Sequence, residues 1–358
     1  MTRAPEAVEV SVGPSTGRPF PGLGLTFPEP VARSRTPGPD MLLGLRLAHL
    51  RVRLELRSPS WRAALGHAAE TGLATATSLE LVLGLGARES DGLEALAHEL
   101  PLAQVGIARV IVEPEDGPSA LTMVDQASLV LTPIAPKAEL GVATRLETAG
   151  GGIPVRSIAS LPLRGWRAAL ERERAQIVRE IGDERPFAAS PVVTTALAHR
   201  GPHPVGAAFV VSSLEMLARA GASSVSFAAP TGWGVIRRRK DGHDVVTPAY
   251  HVLADVGDCQ FGQVGLLDCS NDEALATACI YTLDGVRLLL ANVTKGPLRV
   301  VVGSLAGPAQ LLTLTAASLS AAVEEPERFR RRGMTTRRPR RGVLTLDLDP
   351  WSVVRLDV

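Results

Sequence analysis

The sequence has very little lysine and no excess of charge of either sign. Of its 38 basic residues only Lys137, Lys240 and Lys295 are lysines, and the formal net charge is +1. Together with the many Ala, Gly and Pro residues, this indicates a GC-rich coding bias, so the abundance of arginine needs no functional explanation. A nearly neutral chain has no overall field that would attract nucleic acid or a membrane surface. The composition therefore favours neither class of partner.

Cysteines are few and long apolar runs are missing. Cys259, Cys269 and Cys279 lie ten residues apart, which fits neither the ligand spacing of a zinc site nor a pairing that uses all three. We therefore expect thiols buried in strands. The segment "MTRAPEAVEVSVGPSTG" has no apolar run of signal-peptide length, and no stretch approaches a membrane span. These observations predict a cytoplasmic protein with neither a bound metal nor a cofactor.

Between about residues 20 and 256, β-like runs alternate with helix-like runs. The β-like runs cover residues 22–27, 49–56, 77–85, 108–114, 141–147, 156–163, 186–193 and 223–229. Helical spacing with a Ser cap or a terminal Gly marks residues 60–72, 90–100, 165–182 and 206–221. The fifth and sixth β-like runs are separated only by a Gly-rich loop. Eight β/α alternations predict an α/β fold, a (β/α)8 TIM barrel.

The second β-like run alternates apolar and polar residues. Its apolar set is Leu50, Val52, Leu54 and Leu56, and its polar set is His49, Arg51, Arg53 and Glu55. Because parallel strands covered by helices turn their apolar face toward those helices, the polar set is expected to point into the barrel. A barrel interior is usually filled with branched apolar side chains. The charges therefore predict either a polar cup near the mouth or a buried cluster that only neutralises itself.

After residue 256 the pattern changes to β-like runs joined by short turns. This predicts a small all-β sandwich over residues 257–358, after a barrel over residues 20–256. Residues 1–19 contain "AVEVSVG", which is expected to add a strand to the sandwich. No Gly/Ser-rich or Pro-rich spacer separates the last helix from the first sandwich strand, so the two domains are expected to pack as one fixed unit.

Eight arginines lie between residues 328 and 341. A basic run can bind phosphates, but this one has no interleaved aromatic residue beyond Phe329 and lies between two predicted strands. We expect a solvated, mobile loop. A nucleic-acid-binding module is the less favoured alternative.

Several segments resemble the D-apionate lactonase family, bacterial proteins in which a barrel is followed by a small β-sandwich. They are "GLGLTF" (22–27), "AHLRVRLELRSPSW" (48–61), "AGASSVSF" followed by "TGWGV" (220–235), and "TPAYHVLADVG" (247–257). Many retaining glycoside hydrolases share this layout. The resemblance implies a hydrolase that acts on a sugar-derived lactone or carbohydrate acid.

The sequence departs from the family at positions where the family carries acidic or motif residues expected to take part in the chemistry. The family's Glu before the Thr-Gly-Trp turn aligns with Ala229, and Arg53 stands where relatives carry an acid. The segment "ATRLETAGG" (143–151) replaces a Glu-Leu-Asn-Arg-like motif and leaves Glu147 as the counterpart of its acid. Retaining glycoside cleavage needs two carboxylates, so we do not expect it here. Lactone opening needs one general base and one cationic stabiliser of the oxyanion.

The candidate site residues follow from the resemblance and from the strand pattern. The candidate bases are Glu147 and Glu113, with Glu55 as an alternative, and the candidate oxyanion stabilisers are Arg51, Arg53 and Arg145. Other expected substrate contacts are Glu55, Trp233, Tyr250 and His251, although His251 could instead hydrogen-bond the barrel wall. The alternative function is a catalytically inactive carbohydrate-binding or regulatory protein, in which Glu147 is only ion-paired. Either way the expected partner is a small carbohydrate-derived ligand.

Overall fold

A computed structural model describes residues 7–28, 37–86, 90–116, 120–142, 153–158, 171–172, 175, 192–196, 203–228 and 233–358. Strand β1 (Val8–Pro19) precedes a closed barrel of parallel strands. The barrel strands are β2 (Gly22–Thr26), β3 (His49–Glu55), β4 (Ser78–Gly86), β5 (Ile107–Asp116), β6 (Glu139–Val142), β7 (Ile153–Ile158), β8 (Val192–Ala196) and β9 (Ser224–Ala228). The predicted eight-stranded barrel is confirmed.

Helices surround the barrel in the part of the chain that the structure describes. They are α1 (Pro39–Leu43), α2 (Trp61–Thr75), α3 (Ser90–Ala103), α4 (Ala120–Leu131), α5 (Val205–Arg219) and α6 (Pro248–Gly257). A hairpin of β10 (Ile236–Arg238) and β11 (Asp244–Val246) lies between β9 and α6. The helix predicted over 165–182 falls almost wholly outside the described residues. Helix α4 was not predicted, and strands β6 and β7 begin before the runs that predicted them.

The alternation in β3 decides which side chains face the barrel interior. Leu50, Val52 and Leu54 are at most 2% exposed and belong to the core between strands and helices. His49 and Arg51 point the other way, because their side chains meet residues of β4 and β9 inside the barrel. The predicted orientation of β3 is therefore correct.

The rest of the chain forms a nine-stranded sheet and two short helices. The elements are β12 (Gln263–Cys269), β13 (Leu275–Thr282), β14 (Gly285–Asn292), β15 (Leu298–Gly303), β16 (Ala309–Leu314), α7 (Leu319–Glu324), α8 (Pro326–Arg332), β17 (Thr335–Arg337), β18 (Leu344–Leu348) and β19 (Val353–Asp357). The strand order is β17-β16-β19-β14-β13-β12-β1-β15-β18. The N-terminal strand β1 thus lies inside this sheet, antiparallel to β12 and parallel to β15.

Strand β13 joins the sandwich to the barrel because both of its faces are buried. Leu275 and Cys279 face the sandwich core, whereas Ala276, Ala278 and Ile280 belong to the core that continues into the barrel. The Thr277 hydroxyl donates a hydrogen bond of 3.1 Å to the carboxylate of Glu215 in α5. A sheet that is buried on both faces is the physical reason to expect the two domains to move as one body.

The arginine-rich segment is not the loop that the sequence predicted. It contains helix α8, which begins at Pro326 and buries Phe329, and then the short strand β17. Arg330 donates to Asp255 at 2.6 Å and to Asp258 at 2.7 Å, both on or beside α6. The many charges concealed the helical pattern of this segment from the sequence analysis. The helix is attached to the barrel by one buried apolar side chain and by the ion pairs of Arg330.

The ion pairs around Asp255 allow a test of this attachment. Asp255 is 4% exposed and accepts hydrogen bonds from Arg330 (2.6 Å) and Arg355 (2.9 Å). We expect Asp255→Asn to lower the free energy of unfolding by about 2 kcal/mol, since hydrogen bonds to charged groups are lost while Asp258 and Asp357 still neutralise the arginines. Urea unfolding measures the change.

The matched control is Asp347→Asn. Its carboxylate pairs with Arg299 at 2.9 Å, but its side chain is 72% exposed. Exposed pairs contribute little, so the control should change stability by at most about 0.5 kcal/mol. Equal effects of the two substitutions would contradict the structural role of Asp255.

Candidate active site at the barrel mouth

The charged residues inside the barrel form two separate groups. The inner cluster consists of His49, Arg51, Glu80, Arg109 and Ser226, on β3, β4, β5 and β9. The mouth cluster consists of Arg53, Glu55 and Glu113, near the carboxyl ends of β3 and β5. Barrel enzymes bind substrates at the carboxyl ends of their strands. The mouth cluster therefore has the position of an active site, and the inner cluster lies beneath it.

Glu80 is the centre of the inner cluster and has no exposed surface. Arg109 donates to it at 2.5 Å, and the Nε atom of Arg51 lies 3.5 Å from its other oxygen. Burial raises the pKa of Glu80, but the interaction with His49 and the charges of Arg51 and Arg109 outweigh burial and hold the pKa below its usual value. Glu80 is therefore ionised, and its two arginines compensate it.

His49 completes the inner cluster as a neutral ring. Its Nε2 atom lies 2.7 Å from the hydroxyl of Ser226 and 3.8 Å from Glu80. Burial lowers the pKa of His49 to about 4, against the opposing effect of the Glu80 charge. A Cβ atom at Gly24 would lie 2.1 Å from the same nitrogen, so the ring fills the space that only glycine leaves open. His49 thus packs directly against β2 inside the barrel.

The mouth cluster is more open. Arg53 donates to both Glu55 and Glu113, and the exposed side-chain fractions are 40% for Arg53, 41% for Glu55 and 24% for Glu113. Burial lowers the pKa of Arg53, but its hydrogen bond to Glu55 and the charge of Glu113 raise the pKa above the usual value. A permanent cation thus lies beside two accessible carboxylates.

Arg51 is not the substrate contact that the sequence predicted. The residue is 4% exposed and ion-pairs with Glu80 below the mouth. Arg53 and Glu55, two and four residues further along the same strand, do reach the mouth. Substrate binding by Arg53 and Glu55 therefore stays a prediction, whereas the burial of Arg51 speaks against such a role for it.

Trp233 lies near the mouth end but does not form an open wall. Only 3% of the residue is exposed, and its indole packs edge-on against Phe27 with ring centroids 5.1 Å apart. Phe27 continues the helix-facing set of Leu23 and Leu25 beyond the end of β2. The ring therefore faces the outer core and has no open face for the predicted stacking on a sugar.

Tyr250 and His251 lie on the outer side of the barrel, in α6. The Tyr250 hydroxyl donates to the carbonyl of Met41 at 3.0 Å, and the Nε2 atom of His251 donates to the carbonyl of Ala322 at 3.0 Å. Both residues are at most 2% exposed. This burial speaks against their predicted contact with substrate. His251 makes a structural hydrogen bond, but its acceptor lies in α7 and not in the barrel wall that the alternative named.

Three positions from the sequence analysis lie outside the described residues: Arg145, Glu147 and Ala229. Glu147 as a base therefore stays a prediction. The residues that the sequence analysis did not single out are Glu80 and Arg109. The parallel register could have revealed them, since Arg51 pairs with Glu80 and Glu80 with Arg109 across β3, β4 and β5.

Two features are missing from the described residues: a metal-binding group and a helix that could span a membrane. No group of three or more His, Cys, Asp or Glu side chains in this part of the chain could hold a metal ion. Among the same residues, no helix combines the length and the apolar character needed to cross a membrane.

Comparison with known proteins gives a family match for the C-terminal domain only, and a fold match for the whole chain. Residues 273–356 match the family model of the D-apionate lactonase C-terminal immunoglobulin-like domain. No curated protein matches the sequence. The fold, in contrast, is shared with many solved structures.

Three of these structures illustrate the likeness. A GH30 endoxylanase from Clostridium papyrosolvens C71 is 10% identical with a TM-score of 0.68, and the match covers 98% of this chain and 99% of that one. An α-L-arabinofuranosidase from Thermotoga maritima, in complex with arabinose, is 11% identical with a TM-score of 0.69 over 98% and 99% of the chains. A family 51 α-L-arabinofuranosidase from Bifidobacterium longum is 12% identical with a TM-score of 0.66 over 99% of each.

Identities this low establish the fold and leave the activity open. The whole chain has the scaffold of these glycoside hydrolases, a (β/α)8 barrel with a C-terminal β-sandwich. The resemblance to the D-apionate lactonase family is confirmed by the match of residues 273–356 to the model of that family's C-terminal immunoglobulin-like domain.

Proposed function

We propose that the protein is a hydrolase that opens a sugar-derived lactone at the barrel mouth. The observation that carries this proposal is the contact between Arg53 and Glu113, a cation and a carboxylate that meet near the strand ends and are both partly exposed. The D-apionate lactonase match of the C-terminal domain supports the lactone, and the arabinose complex of a structural neighbour supports a sugar ligand.

The chemistry needs only these two groups and water. Glu113 accepts a proton from a water molecule, whose oxygen attacks the lactone carbonyl carbon. The carbonyl oxygen becomes an oxyanion, which the guanidinium of Arg53 stabilises. The intermediate then collapses, the ring C–O bond breaks, and the departing alkoxide takes the proton from Glu113. The product is the hydroxy acid, and both residues return to their starting states.

A glycosidase mechanism has less support from the same residues. Retaining enzymes place an acid and a nucleophile on opposite sides of one sugar bond. Here Glu55 and Glu113 both bind the single guanidinium of Arg53, so they share one partner. In addition, Ala229 occupies the sequence position of the family's second acid. Lactone hydrolysis needs only one carboxylate and one cation, so it fits these residues better.

One observation favours the alternative of binding without catalysis. Arg53 already donates to two carboxylates, so less of its charge is available to an oxyanion. A site of this kind could hold a sugar acid or a sugar hydroxyl group without turning it over. Calorimetry and turnover measured together separate the two functions.

The test is hydrolysis of a panel of aldonolactones, followed by titration of the acid released, for the parent and for Glu113→Gln. We expect kcat to fall about a hundredfold or more, the usual loss for a general base, while calorimetry shows sugar-acid binding within a few-fold of the parent. Glu99→Gln, which removes a surface carboxylate paired with Arg62, is the matched control and should keep full activity.

Glu147→Gln run in parallel decides between the two predicted bases. Activity that survives Glu113→Gln but is lost in Glu147→Gln would move the base to Glu147. A parent that binds sugar acids but hydrolyses none of the lactones would establish the binding function instead.

A further inference from the structure

The arginine-rich segment divides into two parts with different surroundings. In its first part each arginine has an acidic partner. Arg328 pairs with Glu325 at 2.7 Å, Arg330 with Asp255 at 2.6 Å, and Arg331 with Glu327 at 3.4 Å. Arg330 attaches α8 to the barrel, Arg328 and Arg331 pair with acids of their own helix or its N-cap, and all three have little charge to spare for a ligand.

The second part consists of arginines that are exposed and make no ion pair with any residue that the structure describes. We call this set the arginine face: Arg332, Arg337, Arg338, Arg340 and Arg341. The sequence contains no Asp or Glu between Glu327 and Asp347. The positive charge of the arginine face is therefore uncompensated locally.

The backbone beneath the arginine face is held in place. Strand β17 pairs with β16, which fixes Arg337 opposite Ala309. Arg340 and Val343 exchange two backbone hydrogen bonds of 2.9 and 3.1 Å, and the amide of Leu305 donates to the carbonyl of Gly342 at 3.0 Å. The guanidinium groups thus project from an ordered edge, which reduces the entropy lost when they bind a ligand.

The turn places an arginine where arginine is sterically disfavoured. Arg341 has φ +54° and Gly342 has φ +76°, the pattern of a two-residue hairpin turn that normally begins with Asn, Asp or Gly. A side chain with a Cβ atom carries a steric cost in the left-handed region. An unfavourable backbone that persists because its surroundings hold it is a feature of functional sites. Here it places a guanidinium at the tip of the turn.

We propose that the arginine face binds a carbohydrate polyanion that carries carboxylate groups. Arginine forks match carboxylates through two parallel hydrogen bonds. Four of the five arginines lie within five residues, 337–341, a stretch that spans at most about 17 Å when extended. Strand β17 is an edge of the sheet, so its open backbone groups and exposed Thr335 and Thr336 can bond sugar hydroxyls.

The choice of a carbohydrate has its own support. Residues 332–343 contain no aromatic side chain, whereas proteins that hold single-stranded nucleic acid stack its bases on aromatic rings. The same residues lack the Trp, Phe and Leu side chains that insert a basic surface into a membrane. This choice also rests on the proposed action on sugar-derived acids, but the uncompensated charge does not.

The experiment compares binding of three probes to the full chain: polygalacturonate, duplex DNA, and vesicles containing phosphatidylserine. The test variant is Arg337→Ser/Arg338→Ser/Arg340→Ser. The matched control is Lys137→Ser/Arg237→Ser/Lys295→Ser, which removes three exposed basic residues that are scattered over the protein. Lactone hydrolysis is measured on the same samples.

We expect the parent to bind polygalacturonate more tightly than the other probes, with an affinity that falls as salt rises. The loss of three exposed ion pairs should weaken binding by the test variant on the order of tenfold, while the control stays within a factor of two of the parent. Hydrolysis should be equal in all three proteins, because the arginine face is separate from the mouth cluster.

Three results would overturn the proposal: unchanged binding in the test variant, an equal loss in the control, or tighter binding of DNA or vesicles than of polygalacturonate. A parent that hydrolyses no lactone yet binds polygalacturonate through these arginines would refute the proposed function and leave the arginine face standing. Lactone hydrolysis thus tests the proposed function, and polygalacturonate binding tests the arginine face.

Discussion

Replacing Glu80 by Gln is expected to lower the free energy of unfolding by about 3–5 kcal/mol, the range for breaking a buried ion pair by removing one partner. Glu80 is fully buried and faces Arg51, Arg109 and His49. Gln keeps the shape and can still accept a hydrogen bond, but it no longer neutralises two guanidinium groups. Arg51, itself 4% exposed, loses the buried carboxylate with which it forms an ion pair. Urea unfolding at pH 7.5 measures the loss.

Two further variants test whether the loss comes from the broken ion pair between Glu80 and Arg51. Glu139→Gln removes the other carboxylate that binds Arg109, at 2.7 Å, but Glu139 is 56% exposed, so its loss should cost at most about 1 kcal/mol. Adding Arg51→Met to Glu80→Gln should recover part of the stability, because an apolar side chain replaces the buried cation that has lost its Glu80 partner. If Glu80→Gln cost no more than Glu139→Gln, the inner cluster would not be the electrostatic centre described above.

Much of the barrel could be predicted because strand alternation is a local property. The two-residue period of β3 already placed Leu50 under the helices and Arg51 inside, and the structure agrees. The limits of β6 were less accessible. The strand begins at Glu139, which pairs with Arg109 of β5, and a Glu at a strand start has low β propensity. Pairing with a distant strand, and not local sequence, decides where β6 begins.

The ion-pair partners of Arg51 and Arg53 could be predicted only in part, because they too depend on pairing between distant strands. Alternation shows that Arg51 and Arg53 share a face, but it does not show how deep each lies. The register with β4 sets Arg51 beside Glu80 and Arg53 beside Val82. One arginine is therefore neutralised and buried, while the next reaches the mouth and binds Glu113. Depth along the barrel axis depends on the register of all the strands, which a single sequence does not contain.

For Tyr250 and His251, the family resemblance suggested a position in the substrate site that the structure does not give them. Tyr250 and His251 lie in a segment that resembles a lactonase family, and this suggested a contact with substrate. Helix α6 instead faces α1 and the sandwich helices, where Met41 and Ala322 accept their hydrogen bonds. A segment can match a family because it packs in the same way, without contributing to the chemistry.

The two buried histidines predict the strongest pH dependence of stability. Burial lowers the pKa of His49 to about 4 and the pKa of His251 to about 4, from 6.5 for each. Around His251, the carbonyl of Ala322 and the charge of Asp255 oppose this shift, whereas Arg330 adds to it. The Nδ1 atom of His251 is buried and has no hydrogen-bond partner among the residues that the structure describes. A proton there would have no acceptor, so the geometry independently favours the neutral ring.

The direction of the effect follows from proton binding. Between pH 6.5 and about 4 the unfolded chain binds protons at these two rings, whereas the folded protein does not. Stability is therefore fully present above pH 6.5 and is lost as the pH falls toward 4. Each histidine should contribute about 3 kcal/mol, since one pKa unit corresponds to about 1.4 kcal/mol. Below its usual pKa, Glu80 adds a further loss, because its own pKa is also lowered in the folded state.

Urea unfolding at pH 7.5, 6.5, 5.5 and 4.5 tests this dependence. His251→Gln keeps a donor for the Ala322 carbonyl but cannot titrate, so the stability lost between pH 6.5 and 4.5 should shrink by about half. His49→Gln should remove a similar share, and the double variant most of the slope. The exposed His243 provides the control, His243→Gln, which should follow the parent curve. A double variant as pH-sensitive as the parent would show that other groups govern acid unfolding, and the assignment of two neutral buried rings would be wrong.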